Sequence, residues 1–258
     1  MKQDLWSLCA RELAALIRQR EVSARDATTS VLARIAEVNP RINALPEVMA
    51  EQALATADAC DRMLAAGPST GFTPGPLHGV PVTIKVNVDT AGYATTDGIV
   101  AAKDNVAKTD SPLVAHLRAA GAVVVGRNNT PAFSLRWFTD NDLHGRTLNP
   151  FDPKVTPGGS SGGAAAAVAT GMGPIAHGND YGGSIRYPAW ACGVVGLHHR
   201  RPRAFVQGEC AESRADQPDD VSARPTDAQH CRCTTGAAGD GPGQPAGPAV
   251  GACAAGAH

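Results

Sequence analysis

No stretch of this sequence is apolar over anything near the ~18 residues that a membrane span requires. The N-terminal segment MKQDLWSLCARELAALIRQREVSARD breaks its apolar pattern with acids and arginines, so it lacks the uninterrupted core of a secretory signal. Charge of one sign is also missing. Lys plus Arg number 23 against 24 Asp plus Glu, for a formal net charge of -1, and no basic stripe gathers along the chain. That balance argues against nucleic acid and anionic membrane as partners. A disulfide framework is absent as well: Cys9, Cys60 and Cys192 stand alone, and the other four of the seven cysteines crowd the last stretch. Scattered thiols fit a reducing compartment, and the expected location is the cytoplasm.

The most informative absence is local. Residues 198–258 contain no Leu, Ile, Met, Lys, Trp, Tyr or Asn and consist largely of Ala, Gly, Pro, Arg and Asp. Such a segment has too little apolar surface to offset its ordering entropy, so it reads as disordered. Within it, HCRC at His230 to Cys233 has the look of a metal fragment but lacks a second ligand pair.

What is present upstream is orderly. The 258 residues suffice for one large domain or two small ones. Residues 1–66 repeat apolar positions at three- and four-residue steps, with Ser23 as an N-cap and a glycine stop after AEQALATADACDRMLAAG, and predict a helical layer. GVPVTIKVNVDT then alternates: Val80, Val82, Ile84, Val86 and Val88 lie on one face, Thr83, Lys85 and Asn87 on the other. SPLVAHLRAAGAVVVGRNN and GGAAAAVATGMGPIAHGND each read as helix, glycine turn and strand. Helix and strand in alternation over residues 67–197 predict an α/β layered fold.

The candidate chemistry centres on PGGSSGG, residues 157–163. Alone this heptapeptide could be a linker, a phosphate cradle or the floor of a catalytic site. The phosphate reading lacks the Gly-Lys-Ser/Thr that would follow the glycines. A serine hydroxyl needs a nearby base to act as a nucleophile. His177 is a weak candidate for that base, because a lone strand histidine is more often structural.

From Gly158 to Ala189 the chain reads GGSSGGAAAAVATGMGPIAHGNDYGGSIRYPA. This resembles the amidase signature family, whose fingerprint couples a Gly-Gly-Ser-Ser-Gly-Gly loop to a downstream Asp-x-Gly-x-Ser-Ile-Arg-x-Pro. The flanking GVPVTIKVNVDTAG and TDNDLHGRTLNPFDPKVTPGGSS extend the resemblance over residues 5–197. It implies α/β/α layers around a mixed sheet, and hydrolysis of a carboxamide without metal or cofactor. Ser184 is the implied nucleophile, Ser160 (following a cis peptide bond) the proton relay, and Lys85 the base. Lys85 has to be neutral for that role, so its pKa must fall from ~10.4. Backbone N–H groups of Tyr181, Gly182, Gly183 and Ser184 are the implied oxyanion hole. Trp137, Phe138 and Tyr187 adjoin the motifs and are assigned to the acyl pocket on that proximity. The partner expected is a small-molecule amide, with a homodimer left open.

After Leu197 the family pattern stops. GLHHRRPRAFVQGE replaces the expected Lys/Arg-Pro-Thr-x-Gly-Arg continuation, and we read a shift of reading frame there. The expected fold is therefore incomplete at its C-terminus. Two further readings accompany the leading one: a catalytically inactive truncation product, and, ranked lower, the glutamine-hydrolysing subunit of a tRNA amidotransferase.

Overall fold

The computed structural model describes residues 4–67, 71–198 and 219–223. Three helices open the chain, each with the ends its sequence dictates. α1 (Ala10–Arg18) starts with a capping box, in which the Glu12 N–H donates to Cys9 Sγ and the Cys9 N–H to Glu12 Oε2. α2 (Ala24–Ile42) starts at Ser23, whose hydroxyl accepts from the Asp26 N–H at 2.9 Å, and ends at Asn43 in the left-handed region. α3 (Ala50–Ala66) stops at Gly67. Asp61 of α3 accepts the Ala24 and Arg25 N–H groups at 2.7 and 3.1 Å, pinning the start of α2 to its neighbour.

The sheet follows from short buried strands. It contains β1 (Glu47–Val48), β2 (Pro81–Lys85), β3 (Val123–Asn128), β4 (Ile175–Asn179), β5 (Val195–Leu197) and β6 (Asp219–Ala223) in the order β1-β3-β2-β4-β6-β5. β2 runs parallel to β3 and β4, while β1 on β3 and β6 on both β4 and β5 are antiparallel, so the sheet is mixed. Alternation decides the layers. Val123 and Val125 face Val31, Ile35 and Ala57 of α2 and α3, together with Ala165 and Ala166 of α5 (Gly162–Ala169). Val82, Ile84 and Val124 face Val114 of α4 (Pro112–Ala119). This is the expected α/β/α arrangement, with both sheet faces covered.

Two expectations need correction. The alternating run does not continue as a strand to Val88: β2 ends at Lys85, and the Val88 N–H turns back to the Lys85 carbonyl at 3.1 Å. The turn is held from below by Arg127 of β3, whose fully buried guanidinium donates to the carbonyls of Val86 and Val88 at 3.1 and 2.9 Å. The reading of residues 198–258 as disordered fails at 219–223, which form β6. Backbone pairing needs a free strand edge more than apolar side chains, and β4 and β5 supply one each. The remainder of that reading, HCRC and the proposed frame shift after Leu197 lie outside the described residues.

The approach of α5 to the sheet requires a residue without a side chain. A Cβ at Gly163 would sit 2.4 Å from the Asn129 nitrogen and 2.6 Å from its oxygen, both main-chain atoms. Gly163→Ala is therefore expected to destabilise the fold by ~1–3 kcal/mol or more, the range for overpacking a dense core. The urea midpoint checks this, and an unchanged midpoint would show that α5 can shift.

Candidate active site

Lys85 ends β2 with its side chain on the α5 side of the sheet, and it is fully buried. Its Nζ donates to Ser160 Oγ at 2.7 Å, Asn179 Oδ1 at 2.7 Å and Ser161 Oγ at 3.1 Å. These partners come from the loop entering α5 and from the end of β4, so two crossovers converge on the end of one central strand. The Gly159–Ser160 peptide bond is cis. Around this loop the backbone is crowded: Gly158 has a φ of 84° and faces Pro188, where a Cβ would come within 2.7 Å of the Pro188 Cα.

Ser184 joins the same centre through its main chain. Its carbonyl accepts from the Ser161 N–H at 3.1 Å, and the residue is half-buried. Its hydroxyl has no hydrogen-bond partner among the described residues. The turn that carries it is organised by Asp180, which is fully buried. Asp180 Oδ1 accepts from the Gly183 N–H at 2.6 Å, and Oδ2 from the Ile185 and Arg186 N–H groups at 3.0 and 3.2 Å. Arg186 adds two side-chain bonds to the same carboxylate at 3.0 and 2.9 Å. Burial pushes this carboxyl up, but the guanidinium and the three N–H donors outweigh it and hold it well below the usual carboxylate range. The carboxylate thereby takes the first donors of α6 (Arg186–Ala191).

That arrangement corrects one expectation. The Gly183 N–H, assigned to an oxyanion hole, is directed at Asp180 Oδ1 at 2.6 Å. The donors at this turn not taken up in this way are those of Tyr181, Gly182 and Ser184. The residues expected to line a pocket stand at an open face. Trp137 is 69% exposed, the Phe138 main chain lies against Gly159, and Tyr187 stacks on Trp190 with centroids 6.3 Å apart. His177 is buried in β4, its carbonyl accepting from Asn128 at 3.1 Å. Among the described residues no cluster of three or more His, Cys, Asp or Glu could hold a metal ion, and no helix is long and apolar enough to cross a membrane.

Sequence reasoning missed Asn179 and Ser161 as partners of Lys85 and Arg127 as the support beneath it. A signal existed for Asn179: in IAHGN, positions 175, 177 and 179 share a strand face, which would place an amide beside the loop entering α5. Arg127 carries no such signal, because an arginine inside VVVGRN reads as an edge or exposed residue until the sheet order is known.

Cys192 sits beneath this loop, its thiol 3.4 Å from the Pro157 carbonyl. Burial pushes it up to about 12. The thiolate is the reactive form, so native Cys192 is expected to stay unmodified by iodoacetamide at about pH 8 and to react only once the chain is unfolded in urea. Peptide mapping reads this directly.

Comparison with known proteins bears on the family and the fold. The amidase family model matches residues 26–214. Indoleacetamide hydrolase of Bradyrhizobium diazoefficiens is 50% identical over 213 residues, which cover 82% of this chain and 40% of the relative. A glutamyl-tRNA(Gln) amidotransferase subunit of a Cyanothece species is 43% identical over 187 residues, covering 72% and 38%. Among solved structures, 6-aminohexanoate cyclic dimer hydrolase superposes with a TM-score of 0.76 at 34% identity, over 86% of this chain and 44% of that one. The chain thus spans about two fifths of the length of these relatives. With a family match over most of its residues and the fold of the solved relatives, the chain belongs to the amidase family.

Proposed function

We propose that this chain carries the acylating centre of a serine amidohydrolase that converts a carboxamide to a carboxylate and ammonia or amine. The observation that supports it best is the buried Lys85 Nζ at 2.7 Å from Ser160 Oγ. In this reading Ser184 Oγ attacks the amide carbonyl carbon while its proton passes to Ser160 Oγ, and the Ser160 proton passes to the neutral Lys85 amine. Complete burial favours that neutral form. The C–N bond then breaks as the proton returns through Ser160 to the leaving nitrogen. Water next attacks the Ser184 ester by the same relay in reverse, releasing the carboxylate. Backbone N–H groups of Tyr181, Gly182 and Ser184 serve the oxyanion, a donor of that kind being worth ~2.7–4 kcal/mol.

The substrate class proposed is a small aromatic carboxamide. The relative that matches at 50% identity is an indoleacetamide hydrolase, and aromatic residues belong to the segments beside the serines: the Phe138 main chain lies against Gly159, next to Trp137 in the chain, and the Tyr187 N–H donates to the Gly183 carbonyl at 2.8 Å. That identity, against 43% for the amidotransferase subunit, favours this over the glutamine-hydrolysing reading. A second reading, an inactive form of the same fold, is supported by the exposure of this face. A fluorophosphonate probe separates the two. The active reading expects labelling of one serine that disappears in Ser184→Ala, whereas absence of labelling in a folded wild-type chain supports the inactive form.

A further inference from the structure

Asn179 is buried at the end of β4, and its side chain reaches the same amine as Ser160. Its Oδ1 accepts from Lys85 Nζ at 2.7 Å, the length of the bond from Nζ to Ser160 Oγ, and Ser161 Oγ stands at 3.1 Å. Counting hydrogens gives each bond a direction. A neutral lysine amine has two hydrogens and one lone pair. An amide oxygen only accepts, so the Asn179 bond uses one amine hydrogen. The Ser161 hydroxyl is directed at the Asn179 carbonyl at 3.3 Å, which leaves Ser161 Oγ an acceptor toward Nζ. The two hydrogens are thus taken, and the lone pair is left for the Ser160 hydroxyl. Packing keeps both acceptors in place. Ser161 Oγ accepts from the Asn179 N–H at 3.3 Å, the Ser161 N–H donates to the Ser184 carbonyl at 3.1 Å, and a Cβ at Gly178 would stand 2.7 Å from Ser161 Oγ. Asn128 of β3 donates to the His177 carbonyl at 3.1 Å and to Thr83 Oγ1 at 3.2 Å, tying β4 to β2.

We infer that Asn179 is a positioning residue, which takes one hydrogen of the neutral Lys85 amine and, with Ser161, holds the amine lone pair on the Ser160 hydroxyl. The same arrangement selects Ser160 over Ser161 as the relay, because the Ser161 hydrogen points at a main-chain carbonyl and not at Nζ. When Ser160 passes its proton, Nζ gains a third hydrogen in the Ser160 direction and the other two bonds stay as they were. Nothing has to turn during the transfer, which is the advantage of preorganised dipoles in a buried site. An amide suits this position because it accepts without charge, whereas a carboxylate would hold Lys85 as the ammonium. The ionisable groups on the neighbouring elements are Arg127 of β3, His177 of β4 and Asp180 of the turn after it, and α5 carries none. Arg127 donates to the Val86 and Val88 carbonyls, and Asp180 is bound to Arg186 and three N–H groups. The inference deepens the amidohydrolase reading and rests on it for the direction of proton transfer.

Two readouts test it on the full chain: carbon NMR of the lysine Cε, with Lys85 assigned as the signal lost in Lys85→Arg, and the rate of fluorophosphonate labelling across pH. Asn179→Asp keeps the shape and an acceptor but adds charge. Its Lys85 midpoint is expected to rise by ~1–3 pH units, and its labelling profile to move to alkaline pH by the same amount. Asn179→Leu keeps the bulk without an acceptor, and its labelling is expected to slow about 10²-fold at every pH, the scale of a misplaced reacting group. A role in packing alone would lower the stability of both variants and leave the midpoint and the profile where they are in wild type. An Asn179→Asp chain with the wild-type Lys85 midpoint overturns the inference, and so does an Asn179→Leu chain that labels at the wild-type rate. The Asp variant decides the matter by itself if the Leu variant does not fold. A folded wild-type chain that never labels, while Asn179→Asp still raises the Lys85 midpoint, sinks the amidohydrolase reading and keeps the hold of Asn179 on the amine.

Discussion

Lys85→Ala is expected to slow fluorophosphonate labelling of Ser184 by ~10²–10⁴-fold, the range for loss of a positioned base. The structural reason is the buried amine at the end of β2, held between Ser160, Ser161 and Asn179. A purely structural role for the same side chain would also produce a defect, because removing Nζ takes a donor from three buried oxygens, of which Ser161 Oγ keeps the Asn179 N–H at 3.3 Å. Lys85→Arg distinguishes the two explanations. Arginine restores a donor but stays protonated, so it is expected to recover part of any lost thermal stability and none of the labelling rate. An active Lys85→Arg variant would refute the base role.

Asp180→Ala carries the second large effect. This carboxylate accepts three backbone N–H groups and a bidentate guanidinium, and removing it strands the first donors of α6 and the Gly183 amide. The Arg186 side chain is 57% exposed, so its ion pair is screened by solvent and the backbone bonds carry most of the effect. A loss of ~2–4 kcal/mol is expected from burying donors without an acceptor. The pH dependence has a definite sign. Because the folded carboxyl titrates well below its ordinary value, its stabilisation is complete above about pH 4 and is lost as pH falls through the folded value. The stability gap between wild type and Asp180→Ala should therefore be flat from about pH 5 to 8 and shrink in more acid solution. Urea melts across that range measure it, and a gap that grows toward acid would contradict the assignment.

Much of the fold was legible because its local signals agree with one another. Ser23 and Gly67 mark helix ends by chemistry confined to a few residues, and the alternation in VTIK needs no distant information. The end of β2 was not legible. Val86 and Val88 continue the apolar alternation, and what stops the strand is Arg127, 39 residues beyond Val88. The same limit hid Asn179, which meets Lys85 across a separation of 94 residues. The commitment of the Gly183 amide escaped notice for a different reason. A glycine turn beside a serine suggests free donors, and only the three-dimensional position of the Asp180 carboxylate shows which donor is taken. β6 was missed because composition measures the capacity to form a core, whereas its pairing with β4 and β5 is a matter of backbone edges.

The central claim is that Ser184 forms a covalent acyl intermediate through the Lys85–Ser160 relay. Rapid acid quench of the chain during reaction with indole-3-acetamide, followed by peptide mapping, tests it most directly. The account predicts an indoleacetyl ester on Ser184, diminished in Lys85→Ala and absent in Ser184→Ala. Release of indoleacetate with no adduct on Ser184, or with the adduct on another residue, would contradict it.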